Sequence, residues 1–254
     1  MPLTVGSLFA GIGGFDLGFE RAGMVTRWQV EQDEFCCKVL ARHFPDAKQY
    51  EDVRDVGRHN LEPVDVIAGG FPCQDLSYAG NRAGIEEGTR SGLWSEYARI
   101  VGELRPRYVV VENVAALLDG GMGIVLSDMA KIGYDAEWDC IPAASLGAPH
   151  SRDRCFIVAY PAGTGQNDRL EAGASGRTPL EPRGLSGGRM VGLWPARNAW
   201  VGTEPNVGRM AYGVPCQMDR LRTLGNAVVP QIAEWIGRRL VVYESDLKQC
   251  GLAV

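Results

Sequence analysis

The chain lacks any long apolar run. No stretch approaches the roughly 20 consecutive apolar residues that a membrane-spanning helix needs. The opening stretch, MPLTVGSLFAGIGG, has neither the basic region nor the cleavage site of a secretory signal peptide. These absences argue against a membrane protein and against secretion, and we expect a cytoplasmic location.

Paired cysteines are also missing. The seven cysteines are odd in number, scattered along the chain, and include no Cys-x-x-Cys pair. We therefore expect neither a disulfide framework nor a zinc site, and no metal is predicted, whereas a single reactive thiol is compatible with the pattern. Cys73, which follows Pro72 at the end of an apolar run, is the candidate for that thiol, and the other cysteines are assigned to packing.

Positive charge is scarce in the first part of the chain and concentrated in the second. Residues 1–149 hold 13 Lys and Arg against 22 Asp and Glu, a balance of −9. Residues 150–239 hold 12 against 7, a balance of +5, and all 12 are Arg. This asymmetry favours an acidic catalytic body with an Arg-rich face for a polyanion, although a merely solvated Arg surface is the alternative.

Short apolar runs alternate with amphipathic ones over the first 160 residues. The expected strands are LTVGSLFA, RWQVE, VDVIAGG, RYVVVENV, DAEWDCIPA and RCFIVAY. The expected helices are GGFDLGFERAGM, DEFCCKVLARHF, SGLWSEYARIVGEL and GIVLSDMAKIG, with VVPQIAEWIGRRLVVY near the C-terminus. Such alternation predicts an α/β fold with a mainly parallel sheet covered on both faces.

The segment from Pro161 onward differs in composition. It is rich in Gly, Pro and Arg and shows little periodicity, so it cannot form a core by itself. We expect either a disordered connector or a small recognition region that its ligand orders.

The first predicted strand ends in a glycine-rich turn, FAGIGG. A dinucleotide-binding turn would have a third glycine where Asp16 stands, and we expect that carboxylate to lie where a pyrophosphate would sit. This favours a nucleoside cofactor without phosphates over NAD. Glu31, at the end of the second strand, is placed to accept hydrogen bonds from ribose hydroxyls. Asp52 is placed to accept a hydrogen bond from an adenine amino group. An ordinary tight turn is the alternative.

Five motifs in this order resemble those of DNA (cytosine-5)-methyltransferases of the bacterial and phage type. They are FAGIGG, GGFPCQDLS, ENV at 112–114, HSRDR at 150–154, and LGNAVVP at 224–230. The resemblance implies a Rossmann-like S-adenosylmethionine-dependent methyltransferase fold with a small, irregular target-recognition domain. It also implies that the cofactor leaves as S-adenosylhomocysteine.

The resemblance implies a chemical role for four residues. Cys73 would add as a thiolate to C6 of cytosine, which makes C5 nucleophilic toward the sulfonium methyl group. Glu112 would engage N3 and the exocyclic amine, with a raised pKa that lets it donate as well as accept. Arg154 would hold O2, and Arg152 would brace the loop or a phosphate. Asn113 is expected to fix the local backbone.

The resemblance also implies a cofactor pocket and a closing loop. The loop 74–92 is long and glycine-bearing, as functional lids often are, and would close over a base swung out of the duplex. The residues expected to line the pocket are Phe9, Ala10, Gly11, Gly13, Gly14, Glu31, Gln32, Asp52, Val53, Pro72, Leu93, Asn226, Ala227 and Val228.

Taken together, these patterns predict a two-part enzyme that methylates C5 of cytosine in a specific duplex DNA sequence. Residues 1–160 and 220–254 would form the catalytic and cofactor-binding domain, and 161–219 the target-recognition region. We expect a monomer associated with the nucleoid, with a cognate restriction endonuclease as a possible partner. The alternatives are the same chemistry on RNA and a DNA-binding relative that has lost catalysis.

Overall fold

The computed structural model describes residues 1–72, 93–148, 152–162 and 226–249. The strands are β1 Thr4–Leu8, β2 Val25–Val30, β3 Lys48–Tyr50, β4 Val66–Gly69, β5 Tyr108–Val114, β6 Tyr134–Pro142 and β7 Asp153–Pro161. The helices are α1 Gly14–Arg21, α2 Glu34–His43, α3 Leu93–Leu104, α4 Leu117–Gly120, α5 Met122–Lys131 and α6 Pro230–Gln249. Two 3₁₀ turns cover Val53–Asp55 and Ala143–Leu146.

The strands form one sheet in the order β3-β2-β1-β4-β5-β7-β6. Strands β1 to β5 are parallel, and β7 runs antiparallel to both β5 and β6. The predicted α/β fold with a mainly parallel sheet is confirmed. The carboxyl ends of β1, β2, β4 and β5 therefore meet at one edge, which is where open α/β sheets bind ligands.

Both faces of the sheet are covered, as the alternation of strands and helices predicted. Val109 and Val111 belong to the core on one face, together with Trp94 and Tyr97 of α3. Val110 points to the other face. There α1 and α6 supply the large apolar side chains, namely Phe15, Phe19, Ile232, Ile236 and Leu240.

Helices α1 and α6 approach each other closely through small residues. A Cβ atom added to Gly18 would lie 2.5 Å from Cβ of Ala233, and one added to Gly237 would lie 2.9 Å from Cβ of Ala22. Both distances are shorter than real Cβ contacts, so only glycine fits at these two positions. The C-terminal helix thereby packs against the first helix.

The region predicted for target recognition, 161–219, lies almost entirely outside the described residues. The division into two domains stays a prediction. No helix among the described residues combines the length and apolar character that a membrane span requires.

Candidate active site

The glycine turn joins β1 to α1 and has an unusual backbone. Gly11 and Gly13 have φ angles of +56° and +83°, in the left-handed region that favours glycine. Phe9, a bulky residue, also has a positive φ of +53°. The space where a side chain of Gly11 would stand is open, with no atom within 4 Å. The turn therefore offers a bare backbone surface to a ligand.

Glu31 holds this turn in place. Its Oε2 accepts a hydrogen bond from the backbone N–H of Gly11 at 2.7 Å, and its Oε1 accepts one from the N–H of Asp33 at 2.8 Å. The N–H of Ala10 also donates to the carbonyl of Val30 at 3.1 Å. Each carboxylate oxygen can accept a further bond. Glu31 thus organises the turn and can still accept hydrogen bonds from ribose hydroxyls.

Asp16 does not lie where a pyrophosphate would sit, and that expectation was wrong. The side chain is fully buried in the first turn of α1, beside Ser7 and Gln29 on the sheet. None of these contacts is a well-aligned hydrogen bond to its carboxylate oxygens. Burial raises the pKa of Asp16 to about 6. The reason lies in the rotation of α1, which turns this position toward the sheet rather than toward the glycine turn.

Asp52, the residue expected to bind an adenine amino group, already has a partner. Its two carboxylate oxygens accept hydrogen bonds from the guanidinium of Arg54 at 2.5–3.1 Å, and Oδ1 also accepts from the backbone N–H of that residue. The hydrogen bond from Arg54 lowers the pKa of Asp52. An adenine amino group would have to share this carboxylate with an exposed arginine.

Glu112 lies at the opposite side of the same sheet edge, near the end of β5. Its side chain is only 9% exposed, and Nε of Arg154 lies 3.0 Å from its Oε1. This contact is an ion pair rather than a well-aligned hydrogen bond, so the oxygen keeps its capacity to accept. Burial raises the pKa of Glu112 to about 7, although Arg154 and Arg152 act in the opposite direction.

Two residues position the Glu112 carboxyl. Strand β7 pairs Arg154 with Val114, which brings the guanidinium to the end of β5. Gly70, just after β4, leaves the space that the carboxyl needs, because a Cβ there would lie 2.6 Å from its Oε2. Sequence reasoning missed Gly70, and its place within the GGFPC motif was the only available signal.

Asn113 connects β5 to the segment that precedes the predicted nucleophile. Its Nδ2 donates to the carbonyl of Phe71 at 3.2 Å, and its Oδ1 accepts from the N–H of Val114 at 2.8 Å. The side chain is buried and holds backbone, in agreement with its expected role. Pro72 follows Phe71 in the described residues, whereas Cys73 and the loop 74–92 lie outside them.

Arg152 links the Glu112 region to the returning C-terminal segment. Its guanidinium donates to the carbonyl of Ala227 at 2.6 Å, and its own backbone has a positive φ of +27°. Val228, which follows Ala227 in the sequence, has its carbonyl so close to Gly14 that a Cβ on that glycine would collide with it. The structure therefore brings two of the predicted pocket residues, Val228 and Gly14, together, while Asn226 is exposed.

Helix α3 supports the wall of the predicted pocket. Arg99 donates to the carbonyls of Val53 and Val56 at 3.2 and 2.8 Å, and so fixes the turn that carries Asp52. The sequence contained no signal for this contact. Leu93, another predicted pocket residue, begins α3, and Gln32, just after Glu31, is exposed.

The described residues contain no group of three or more His, Cys, Asp or Glu side chains that could hold a metal ion. Their polar groups at the sheet edge instead form two sets. One set surrounds the glycine turn and consists of acceptors, and the other combines a buried carboxyl with arginines. This arrangement can bind a nucleoside at one end and a planar polar ring at the other.

Comparison with known proteins gives a consistent picture. Residues 3–183 match the model of the C-5 cytosine-specific DNA methylase family. The chain is 39% identical over 165 residues to Type II methyltransferase M.Eco47II of Escherichia coli, which covers 61% of this chain and 39% of that protein. It is 34% identical over 165 residues to Type II methyltransferase M2.BsuMI of Bacillus subtilis, covering 62% of this chain and 42% of the relative.

A solved structure of a prophage-encoded DNA modification methyltransferase of E. coli superimposes with a TM-score of 0.53 at 30% identity. The match covers 63% of this chain and 47% of that one. The chain thus spans about 40% of the length of these two curated relatives and about half of the solved structure.

Proposed function

Since the chain belongs to the family of C-5 cytosine-specific DNA methylases, we propose that it transfers a methyl group from S-adenosylmethionine to C5 of a flipped-out cytosine in duplex DNA. The observation that carries the proposal is the buried contact between Glu112 and Arg154. On cytosine, O2, N3 and the exocyclic amine are consecutive along one edge of the ring. A guanidinium beside a carboxyl presents a matching row of donors and acceptors.

The raised pKa of Glu112 supports a role in proton delivery. At a pKa of about 7 a large fraction of this carboxyl is protonated at neutral pH. The protonated oxygen can donate to N3 while the other oxygen accepts from the exocyclic amine. Addition of a thiolate at C6 places negative charge on the ring, and a proton donated at N3 neutralises it.

Cys73 is the proposed nucleophile. It directly follows Pro72. The residue before that proline, Phe71, is held to β5 by a hydrogen bond from Asn113. The thiolate would form a bond to C6, and C5 would then take the methyl group and lose its proton. Arg154 would hold O2 during these steps, and Arg152 would keep the neighbouring backbone in place through Ala227.

The residues around the glycine turn fit a nucleoside cofactor. The open space at Gly11, the acceptor capacity of Glu31 and the nearby turn that begins at Val53 would form a cradle for a ribose and an adenine ring. S-adenosylmethionine would supply the electrophilic methyl group. The chain's own contribution is to hold the ribose hydroxyls through Glu31 and to share Asp52 between Arg54 and the adenine amine.

Duplex DNA is the proposed substrate, and the Arg-rich segment 161–219 is the proposed recognition region. Arginine contacts to phosphates would provide affinity that falls as salt rises. The names of the relatives, Type II methyltransferases, support a cognate restriction endonuclease as a partner of this chain as well.

A trapping experiment tests the proposed function. The full chain is incubated with S-adenosylmethionine and a duplex in which 5-fluorocytosine replaces cytosine. Fluorine at C5 cannot leave as a proton does, so an adduct between Cys73 and C6 should survive denaturation on a gel. The Cys73→Ala variant should form no adduct.

The substrate class is tested in parallel. A single-stranded RNA with the same substitution would be trapped in place of the duplex if RNA were the substrate. A preparation that methylates ordinary DNA but forms no adduct would overturn the assignment of the nucleophile.

A further inference from the structure

Two cysteines face each other across the antiparallel strands β6 and β7. The register pairs Cys140 directly with Cys155, and each thiol affects the pKa of the other across the two strands. Directly paired residues in antiparallel strands have Cα atoms about 4.5–5.5 Å apart. A disulfide needs Cα atoms about 4.4–6.8 Å apart, so the backbone already has a suitable geometry.

The segment enclosed by these cysteines contains both arginines of the candidate active site. Residues 140–155 include the end of β6, the 3₁₀ turn, and the start of β7 with Arg152 and Arg154. Cys155 also lies opposite Asn113 on β5. A bond between the two sulfurs would therefore close a loop around the arginines and fix the base of the hairpin that carries them.

We propose that Cys140 and Cys155 are a modification site that forms a reversible disulfide, which staples the hairpin carrying Arg152 and Arg154. Both thiols are free in the structure, Cys140 half-buried and Cys155 fully buried. The packing role that the sequence suggested for these residues holds in the reduced state. The oxidant is a small-molecule disulfide such as oxidised glutathione.

The more exposed Cys140 reacts first. Its thiolate attacks one sulfur of oxidised glutathione, the disulfide bond of the reagent breaks, and one glutathione thiolate leaves and takes up a proton. The sulfur of Cys155 then displaces the second glutathione, and the proton of its thiol passes to that leaving group. Two protein thiols are oxidised, and one oxidised glutathione is reduced to two molecules of glutathione.

The surroundings make this reaction slow at neutral pH. Burial raises the pKa of Cys155 to about 12 and also raises the pKa of Cys140. Because only the thiolate attacks, the rate should rise with pH. The cross-strand geometry, rather than an activated thiol, selects the pair.

Peptide mapping tests the site. The full chain is treated with oxidised glutathione at mildly alkaline pH, unfolded, alkylated and digested. We expect a peptide pair joined through Cys140 and Cys155, which dithiothreitol separates. The melting temperature should rise by roughly 5–10 °C on oxidation, because the bond closes a loop of about 15 residues.

Matched controls separate geometry from reactivity. Cys36 is also buried and its pKa is also raised to about 12, but its neighbour is Cys37 on the same helix, and no cysteine of the described residues faces it from a paired strand. It should remain alkylatable after the same treatment. Cys140→Ser, at a half-buried position, and Cys155→Ala should each abolish the linked peptide and the rise in melting temperature.

Three results would overturn the proposal. One is a stable mixed disulfide of glutathione on Cys140 with Cys155 still alkylatable. Another is a link from either residue to a different cysteine, and the third is a linked pair without any change in melting temperature.

Discussion

The two ends of the candidate site place the same residue type, a glutamate at a strand end, in opposite surroundings. At the glycine-turn end, Glu31 accepts two backbone N–H bonds and remains partly accessible. At the Glu112 end, the carboxyl is buried, has an arginine at 3.0 Å, and has a pKa raised to about 7. In the proposed function the first glutamate would serve as a fixed acceptor and the second as a proton carrier. Burial and the available donors, rather than residue type, decide which role a carboxyl takes.

The largest effect on activity is expected for a substitution that removes the carboxyl proton of Glu112. Glu112→Gln keeps the shape but cannot supply a proton to N3, so kcat for methyl transfer should fall by about 10²–10⁴-fold. Affinity for S-adenosylmethionine, measured by calorimetry, should not change. Glu137→Gln is the matched control, since burial also raises the pKa of Glu137 but Tyr160 donates to it away from this end. Equal losses in both variants would contradict the special role of Glu112.

The pH profile sharpens the same comparison. If the protonated form of Glu112 acts, kcat/KM should fall as the pH rises through about 7, where this carboxyl loses its proton. The proposed reaction also needs the thiolate form of Cys73, which adds a limb of opposite slope. The residual activity of Glu112→Gln should lack the alkaline limb, and a retained limb would assign it to another group.

A second buried carboxyl tests whether burial alone raises a pKa at the glycine-turn end. Asp16 has a pKa of about 6 in the folded protein against 3.8 unfolded, so its burial destabilises the fold increasingly as the pH rises from about 4 to 6, and fully above that. Asp16→Asn should raise the free energy of unfolding in urea by up to about 3 kcal/mol at pH 8. The gain should shrink as the pH falls through 6 and vanish below about 4. A gain that is independent of pH would show that ionisation is not its cause.

The Gly70→Ala substitution should displace the Glu112 carboxyl without changing its chemical nature. A Cβ 2.6 Å from Oε2 must push the carboxyl away from Arg154, and we expect kcat to fall by about 10–50-fold with unchanged cofactor affinity. The control is Gly102→Ala in α3, where a Cβ would meet only Ile132 at an ordinary 3.7 Å. If Gly70→Ala keeps full activity, the carboxyl position is less critical than the structure implies.

The smallest effect is expected at Glu31. In Glu31→Gln one backbone N–H would face an amide donor instead of a carboxylate oxygen, and we expect the affinity for S-adenosylmethionine to fall by about 1 kcal/mol, or five- to tenfold. Glu34→Gln, on the exposed surface of α2, is the control. Calorimetry that shows unchanged affinity would remove Glu31 from the pocket.

The order of strands and helices could be predicted from the sequence because alternation and apolar runs are local properties. Strand β3 was missed because Lys48, Gln49 and Tyr50 have no apolar pattern and pair only with the outer side of β2. The direction of Asp16 was predicted wrongly because the rotation of a helix depends on its packing. The contacts of Gly70 and Arg99 join positions about 40 residues apart, and no local pattern encodes them.

The small-residue contact between α1 and α6 has a consequence for synthesis of the chain. During translation the sheet and α1 are synthesised before residues 230–249. Phe15, Phe19 and Val110 therefore remain uncovered until Ile232 and Ile236 pack against them. Transiently exposed apolar surface of this kind favours aggregation and engages chaperones. Helix α6 therefore completes this face of the fold in a late docking step, after the sheet and α1 have been synthesised.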